Sequence, residues 1–258
     1  MSARRWVALA ATVVAVAVIG CGSSGSSGGK PTLVVSAAAS LKDAFDQYSQ
    51  TFPQATVRAS YAGSDELAAQ IEQGVKPDVF ASANTKFPQQ LFQKGLVEKP
   101  VVFAGNRLVI AVPANGGKVT SLADLEKPGT TIAMGSPTVP VGTYTRQVLS
   151  GLPKADEAKV LANVRSNEPD VAGVIGKVTQ SAVDAGFVYI TDVDATDGKL
   201  KAVELPKSLQ PQVAYGVAIV KGAKHPQQAQ QFIDGLLRGA GRQALKAAGF
   251  EPPPGPGA

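Results

Sequence analysis

The chain is poor in the residues on which much enzyme chemistry depends. It has one cysteine, Cys21, one histidine, His225, one tryptophan and two methionines among 258 residues. A single cysteine excludes an internal disulfide, and a single histidine cannot build the His/Cys clusters that hold zinc. Asp192, Asp194 and Asp197 lack the ligand order and closing glutamate of a calcium loop, and they read as a solvated turn. His225 precedes Pro226 at a helix start and reads as a solvated capping residue. Clustered basic charge is also lacking. Lys and Arg number 25 against 20 Asp and Glu, and their scatter argues against a nucleic-acid surface while leaving room for a small anion. No repeat with a period of about 20–50 residues is present, which excludes solenoids and propellers.

The N-terminus has its own character. Arg4 and Arg5 precede an uncharged, apolar or small run from Trp6 to Gly20. That run is short of the roughly 20 apolar residues that span a bilayer, so residues 1–20 read as an export signal peptide. Val18-Ile19-Gly20-Cys21 resembles the lipobox of bacterial lipoproteins, in which the cysteine is acylated and becomes the first mature residue. The expectation is lipidation at Cys21 and attachment to the extracytoplasmic face of the cell membrane. Residues 21–30 then form a lipidated, Gly/Ser-rich tether. Its G-x-S-x-G match at Gly25, Ser27 and Gly29 lies in low-complexity linker, so it is no nucleophile elbow.

From residue 31 onward, strand and helix patterns alternate. Thr32–Val35 is an apolar run, and Leu41, Ala44, Phe45, Tyr48 and Phe52 recur at helical spacing. Val57, Ala59 and Tyr61 alternate as a strand does, and Asp65–Gln73 reads as a helix closed by Gly74. The strand 78–81, the helix bearing Phe87, Leu91 and Phe92, and the β-branched run Leu108–Val112 continue the pattern. Thr131–Met134, the helix Val141–Leu149, the stripe Val171, Val174, Ile175 and Val178, and the strand Phe187–Ile190 suggest a second unit. Val213–Val220 is a long apolar strand, two C-terminal helices follow, and residues 252–258 form a Pro/Gly-rich tail. Gly173–Lys177 has the wrong spacing for a P-loop and belongs to a helix stripe. Such alternation predicts α/β units built on mostly parallel sheets.

The joins between strands and helices carry the chemical signal. Ser40 begins an S-x-x-D pattern and reads as a helix cap, and Ser64 stands in the same relation to the next helix. Both turns should open at one sheet edge, where ligands bind in open α/β folds. Helix N-termini favour anions there, because their first N–H groups lack partners and the macrodipole is positive.

The segments AAASL (37–41), YAGSDEL (61–67), PDVFASAN (77–84), PVGTYT (140–145), EPDVAGVIGKV (168–178) and GFVYITD (186–192), in this order, resemble the molybdate-binding proteins of ABC importers. The resemblance covers residues 31–251. It implies a type II periplasmic-binding-protein fold, with lobe 1 at 31–110 and 216–251 and lobe 2 at 111–215. The crossover segments are expected near Leu108–Pro113 and Gln212–Val217. It further implies ligand contacts from the hydroxyls and N–H groups of Ser40 and Ser64, the N–H groups of Val141 and Val171, and the phenol of Tyr189. Molybdate would be held through its oxygens, with no side chain bound to the metal and no cofactor. The implied partners are a membrane permease and its cytoplasmic ATPase, and the protein is expected to be monomeric.

Molybdate is a fully deprotonated dianion at neutral pH, so its oxygens only accept hydrogen bonds and its site should contain donors alone. Monohydrogen phosphate still carries a proton and favours an acceptor. Asp65, beside Ser64, departs from the commoner serine-rich motif and is expected to point away from the cleft. Tungstate shares the charge and shape of molybdate. Sulfate, phosphate and organic anions remain alternatives on the same fold. A serine hydrolase using Ser40 or Ser64 is the other class, and it lacks a plausible base beside either serine.

Overall fold

A computed structural model describes residues 29–255. The signal peptide, Cys21 and the tether up to residue 28 lie outside the described residues, as do residues 256–258 of the tail. The first lobe begins with β1 (Thr32–Ala38), α1 (Lys42–Thr51), β2 (Thr56–Ala62), α2 (Ser64–Glu72), β3 (Val79–Ser82), α3 (Lys86–Gln93) and β4 (Val101–Asn106). The second lobe holds β5 (Leu108–Pro113), β6 (Ile132–Gly135), α4 (Pro140–Ser150), α5 (Lys154–Ala162), β7 (Val164–Glu168), α6 (Val171–Thr179), β8 (Ala185–Tyr189), α7 (Ile190–Asp194) and β9 (Leu200–Glu204). The chain then returns to the first lobe through β10 (Val213–Ile219), α8 (Pro226–Arg238) and α9 (Ala240–Ala247).

Each lobe is built on a five-stranded sheet, ordered β2-β1-β3-β10-β4 in the first and β7-β6-β8-β5-β9 in the second. β10 runs antiparallel to β3 and β4, and β5 runs antiparallel to β8 and β9. The strand that enters from the other lobe is therefore the reversed one in each sheet, and the remaining strands are parallel. Helices on the sheet faces explain the composition of the central strands. Leu33, Val35 and Ala37 of β1 and Leu108 through Val112 of β5 are fully buried, as apolar runs covered on both sides should be. This is the two-lobed type II solute-binding architecture.

The lobe boundaries differ from those expected. β5 lies wholly in the second sheet and β10 wholly in the first, so the chain crosses at Arg107 and again between Glu204 and Val213. A β-branched run reads the same on either side of a hinge, and only its pairing partner assigns it to a lobe.

In the first lobe, Phe45 and Tyr48 of α1 and Phe52 just past its end meet Phe232 of α8 with ring centroids 5.5, 4.6 and 5.4 Å apart. This aromatic packing fastens the returning C-terminal helices to the sheet begun by β1.

Candidate functional site

The two lobes meet around a small cavity of ≈ 20 Å³, whose lining includes Ser40, Ser64, Val141, Val171 and Tyr189. All five residues singled out in the sequence are thus brought together, although they are drawn from five separate segments of the chain. Adding the radius of a water-sized sphere to that central volume gives a hole about 3 Å in radius. That is the dimension of one tetrahedral oxyanion, and well short of a sugar.

Three helices begin at this cavity. Ser64 is the first residue of α2, Val171 the first of α6, and Val141 the second of α4 behind Pro140. First-turn N–H groups have no intrahelical acceptor, and each N-terminus carries about half a positive charge. Pro140 suits its place because a first-turn N–H is not needed by the helix. On the fourth side, a tight 3₁₀ turn, Ala39–Leu41, presents Ser40. Among the described residues no Lys or Arg lines the cavity, and the one charged residue that does, Asp170, caps α6 by accepting the Gly173 N–H at 2.9 Å.

The hydroxyls are not arranged as the sequence predicts. Neither serine caps its helix: Leu41 holds the cap position of α1 and Gly63 that of α2. Ser40 Oγ lies 2.9 Å from the Tyr215 hydroxyl, and Ser64 Oγ accepts the Ala83 N–H at 3.1 Å. Long-range partners thus take both hydroxyls in place of a local cap. Neither serine contacts a general base among the described residues. Tyr189 is 1% exposed, and its hydroxyl has no hydrogen-bond partner among the described residues. A buried, unpaired hydroxyl is costly and calls for a partner. Burial pushes this phenol well above the ordinary tyrosine range, so it stays protonated and able to donate.

Several contacts hold the lobes against one another. The Thr138 hydroxyl donates to Asp65 Oδ2 at 2.6 Å, from the loop before α4 to the start of α2. Asp65 therefore points across the seam between the lobes, not away from the cleft as expected, and its Oδ1 is buried without a partner among the described residues. Gly63 sits so close to the second lobe that an added Cβ would lie 2.5 Å from the Pro169 carbonyl oxygen. The rings of Tyr189 and Tyr215, one from each lobe, pack 5.8 Å apart.

A wider groove of ≈ 690 Å³ lies on the other side of the Ser40 turn and is lined in part by Asp43, Asp192 and Asp194. Its carboxylates suit it poorly to an anion. Asp192 is not the solvated turn residue expected from sequence: it is half-buried and accepts the Tyr189 N–H at 3.0 Å. Burial, reinforced by Asp43 and Asp170 and opposed by the Tyr189 N–H, raises its pKa to about 7. His225 likewise makes no side-chain cap; its backbone N–H donates to Asp78 at 2.8 Å.

Residues 33–251 match the family described as bacterial extracellular solute-binding protein. The chain is 35% identical to the molybdate-binding protein ModA of Mycobacterium tuberculosis, over 96% of this chain and 100% of that one. It is 33% identical to YvgL of Bacillus subtilis, described as a candidate ABC transporter substrate-binding lipoprotein, over 94% and 96% of the two chains. Its fold superimposes on the periplasmic molybdate-binding protein of Azotobacter vinelandii with a TM-score of 0.76, at 24% identity over 86% of this chain and 100% of that one.

Proposed function

Because this chain belongs to the bacterial extracellular solute-binding proteins, and to the molybdate-binding receptors of ABC importers among them, we propose that it captures molybdate, and tungstate as well, in the cavity between its lobes. The reading rests on one observation above all. Five residues from both lobes, each able to donate a hydrogen bond, line a hole the size of a tetrahedral oxyanion, and the buried Tyr189 hydroxyl has no hydrogen-bond partner among the described residues. The hydroxyls of Ser40, Ser64 and Tyr189 and the N–H groups of Ser40, Ser64, Val141 and Val171 are the proposed ligand donors. Helix N-termini and neutral hydroxyls balance a dianion without mobile basic side chains.

Binding is capture without chemistry. The anion bridges the two lobes, draws the open form to the closed one, and the closed form docks on a membrane permease driven by a cytoplasmic ATPase. The lipobox-like sequence at Cys21 supports a lipid anchor on the outer face of the cell membrane, as does the lipoprotein description of the Bacillus relative. An anchor of that kind keeps a monomeric receptor concentrated beside its permease.

Thermal melts and calorimetry of the purified protein with molybdate, tungstate, sulfate and phosphate test the reading. A ligand at about 1,000 times its Kd stabilises the fold by about 4 kcal/mol, so molybdate and tungstate should produce a large upward shift. Stabilisation by phosphate and not by molybdate would overturn the assignment.

A further inference from the structure

A site that holds a fully deprotonated anion needs hydroxyls that donate, yet a free hydroxyl can turn and accept. A chain of hydrogen bonds behind the cavity removes that freedom from Ser40. Asn106, at the end of β4, accepts the Arg107 backbone N–H through Oδ1 at 2.8 Å. That bond fixes which end of the amide is oxygen and leaves both Nδ2 protons on the other side. One of them goes to Thr191 Oγ1 in the second lobe at 2.9 Å, and the other faces the Tyr215 hydroxyl oxygen at 3.4 Å. An amide nitrogen cannot accept, so Tyr215 accepts from Asn106 and turns its own proton to its other partner, Ser40 Oγ, 2.9 Å away. The serine oxygen accepts from Tyr215, and the serine proton is left for the cavity. Tyr215, Asn106 and Thr191 are all buried, so solvent does not scramble these directions. Burial also keeps the Tyr215 phenol protonated, pushing its pKa well above the ordinary range. Ser64 is polarised in the same sense by a simpler device, since its Oγ accepts from the Ala83 N–H.

We propose that Asn106 and Tyr215 are positioning residues for anion selectivity: the relay Asn106 to Tyr215 to Ser40 holds the serine as an obligate donor and so sets the cavity against anions that still carry a proton. The inference rests on the oxyanion reading of the cavity and adds to it the means of discrimination. Molybdate, tungstate and sulfate accept at every oxygen. Monohydrogen arsenate and monohydrogen phosphate carry one O–H that must find an acceptor; with one lone pair of Ser40 taken by Tyr215 and its proton turned to the cavity, the serine meets that O–H with a donor, and Asp170, the carboxylate in the lining, already accepts the Gly173 N–H. A buried donor left unpaired is disfavoured far more than a lost contact.

Two substitutions in the full-length protein test the relay, each read as the ratio of Kd values for arsenate and molybdate at pH 8. Arsenate is a dianion there that retains one proton, and it is closer than phosphate to molybdate in size. Tyr215→Phe keeps the ring packed against Phe103, Tyr189 and Phe250 and frees Ser40 to rotate. Asn106→Asp replaces the donating amide by an acceptor and reverses the direction of the relay. Both should lower the arsenate-to-molybdate ratio at least tenfold, whatever they do to overall affinity, with Ser40→Ala serving as the reference for simple loss of the hydroxyl. A residue with only a packing role would weaken both anions alike, so an unchanged ratio in either variant that melts cooperatively refutes the relay. If the wild-type protein binds neither anion, the oxyanion reading itself fails before any variant is made, and the relay falls with it.

Discussion

Replacing Tyr189 by Phe should move stability and binding in opposite directions. The ring is 1% exposed and packs against Tyr144 and Tyr215 at centroid distances of 6.4 and 5.8 Å. Removing one oxygen leaves those contacts in place. It also removes a buried hydroxyl that has no hydrogen-bond partner among the described residues, a group that costs a fold about 1–3 kcal/mol. For a chain of this size each kcal/mol moves the midpoint by about 2–4 °C, so the ligand-free variant should melt no lower than the parent and up to a few degrees above it, the gain growing with the share of closed form in the free protein. With molybdate the sign reverses. A hydrogen bond to a charged group contributes about 1.5–3 kcal/mol, which raises Kd by about 10- to 150-fold when it is lost. Differential scanning calorimetry without ligand and titration calorimetry with molybdate supply the two readings. A variant that melts lower than the parent, or binds molybdate within twofold of it, would refute the role given to this hydroxyl.

Gly63→Ala should weaken molybdate binding at least tenfold, because the new Cβ would lie 2.5 Å from the Pro169 carbonyl oxygen of the second lobe, a clash that separating the lobes would relieve. Unchanged affinity by calorimetry would show that closure is not so tight. Thr138→Val removes the donor to Asp65 across the seam. Its effect of about 1 kcal/mol should fall mainly on the dissociation rate, and a stopped-flow trace identical to the parent's would count against an interlobe latch. Asp192 has its carboxyl pKa raised from 3.8 to about 7, so the folded state holds this proton more tightly than the unfolded one. Its stabilising contribution is full below about pH 4 and is lost as the pH rises through about 7. Asp192→Asn, which keeps an acceptor for the Tyr189 N–H, should therefore match the parent near pH 4 and exceed it by about 1–3 kcal/mol at pH 8 in urea denaturation; parallel pH profiles would contradict this. Cys21→Ser should release the protein from the membrane fraction with molybdate affinity intact, and a variant that still sediments with membranes would rule out the lipid anchor.

Elements with a strong local rhythm were legible. The helical spacing of Ala44, Phe45 and Tyr48 became α1, with Leu41 at its cap, and the stripe Val171, Val174 and Val178 became the buried face of α6. Turn glycines also marked ends: Gly74 and Gly95 adopt φ of +99° and +72° just past α2 and α3, a conformation open to glycine without steric cost. Elements with no such rhythm escaped. α5 buries a single hydrophobic residue, Val160. β7 reads Val-Arg-Ser-Asn-Glu at a sheet edge and is recognisable only from its pairing with β6.

The sequence by itself determined the α/β alternation, the helix starts that gather around the cavity between the lobes, and the scarcity of bases, thiols and metal ligands. These are properties of residues within a few positions of one another, where periodicity and turn chemistry act. Tertiary structure decided which way each polar group faces. Ser40 finds Tyr215, 175 residues away, and Asn106 finds the same phenol across 109. Asp65 reaches Thr138 across 73 residues, and Asp192 lies half-buried in a turn whose composition suggests solvent. A hydroxyl can donate or accept with equal ease, and a carboxylate can be solvated or buried. The choice depends on neighbours that only the closing of two lobes brings within 3 or 4 Å of one another.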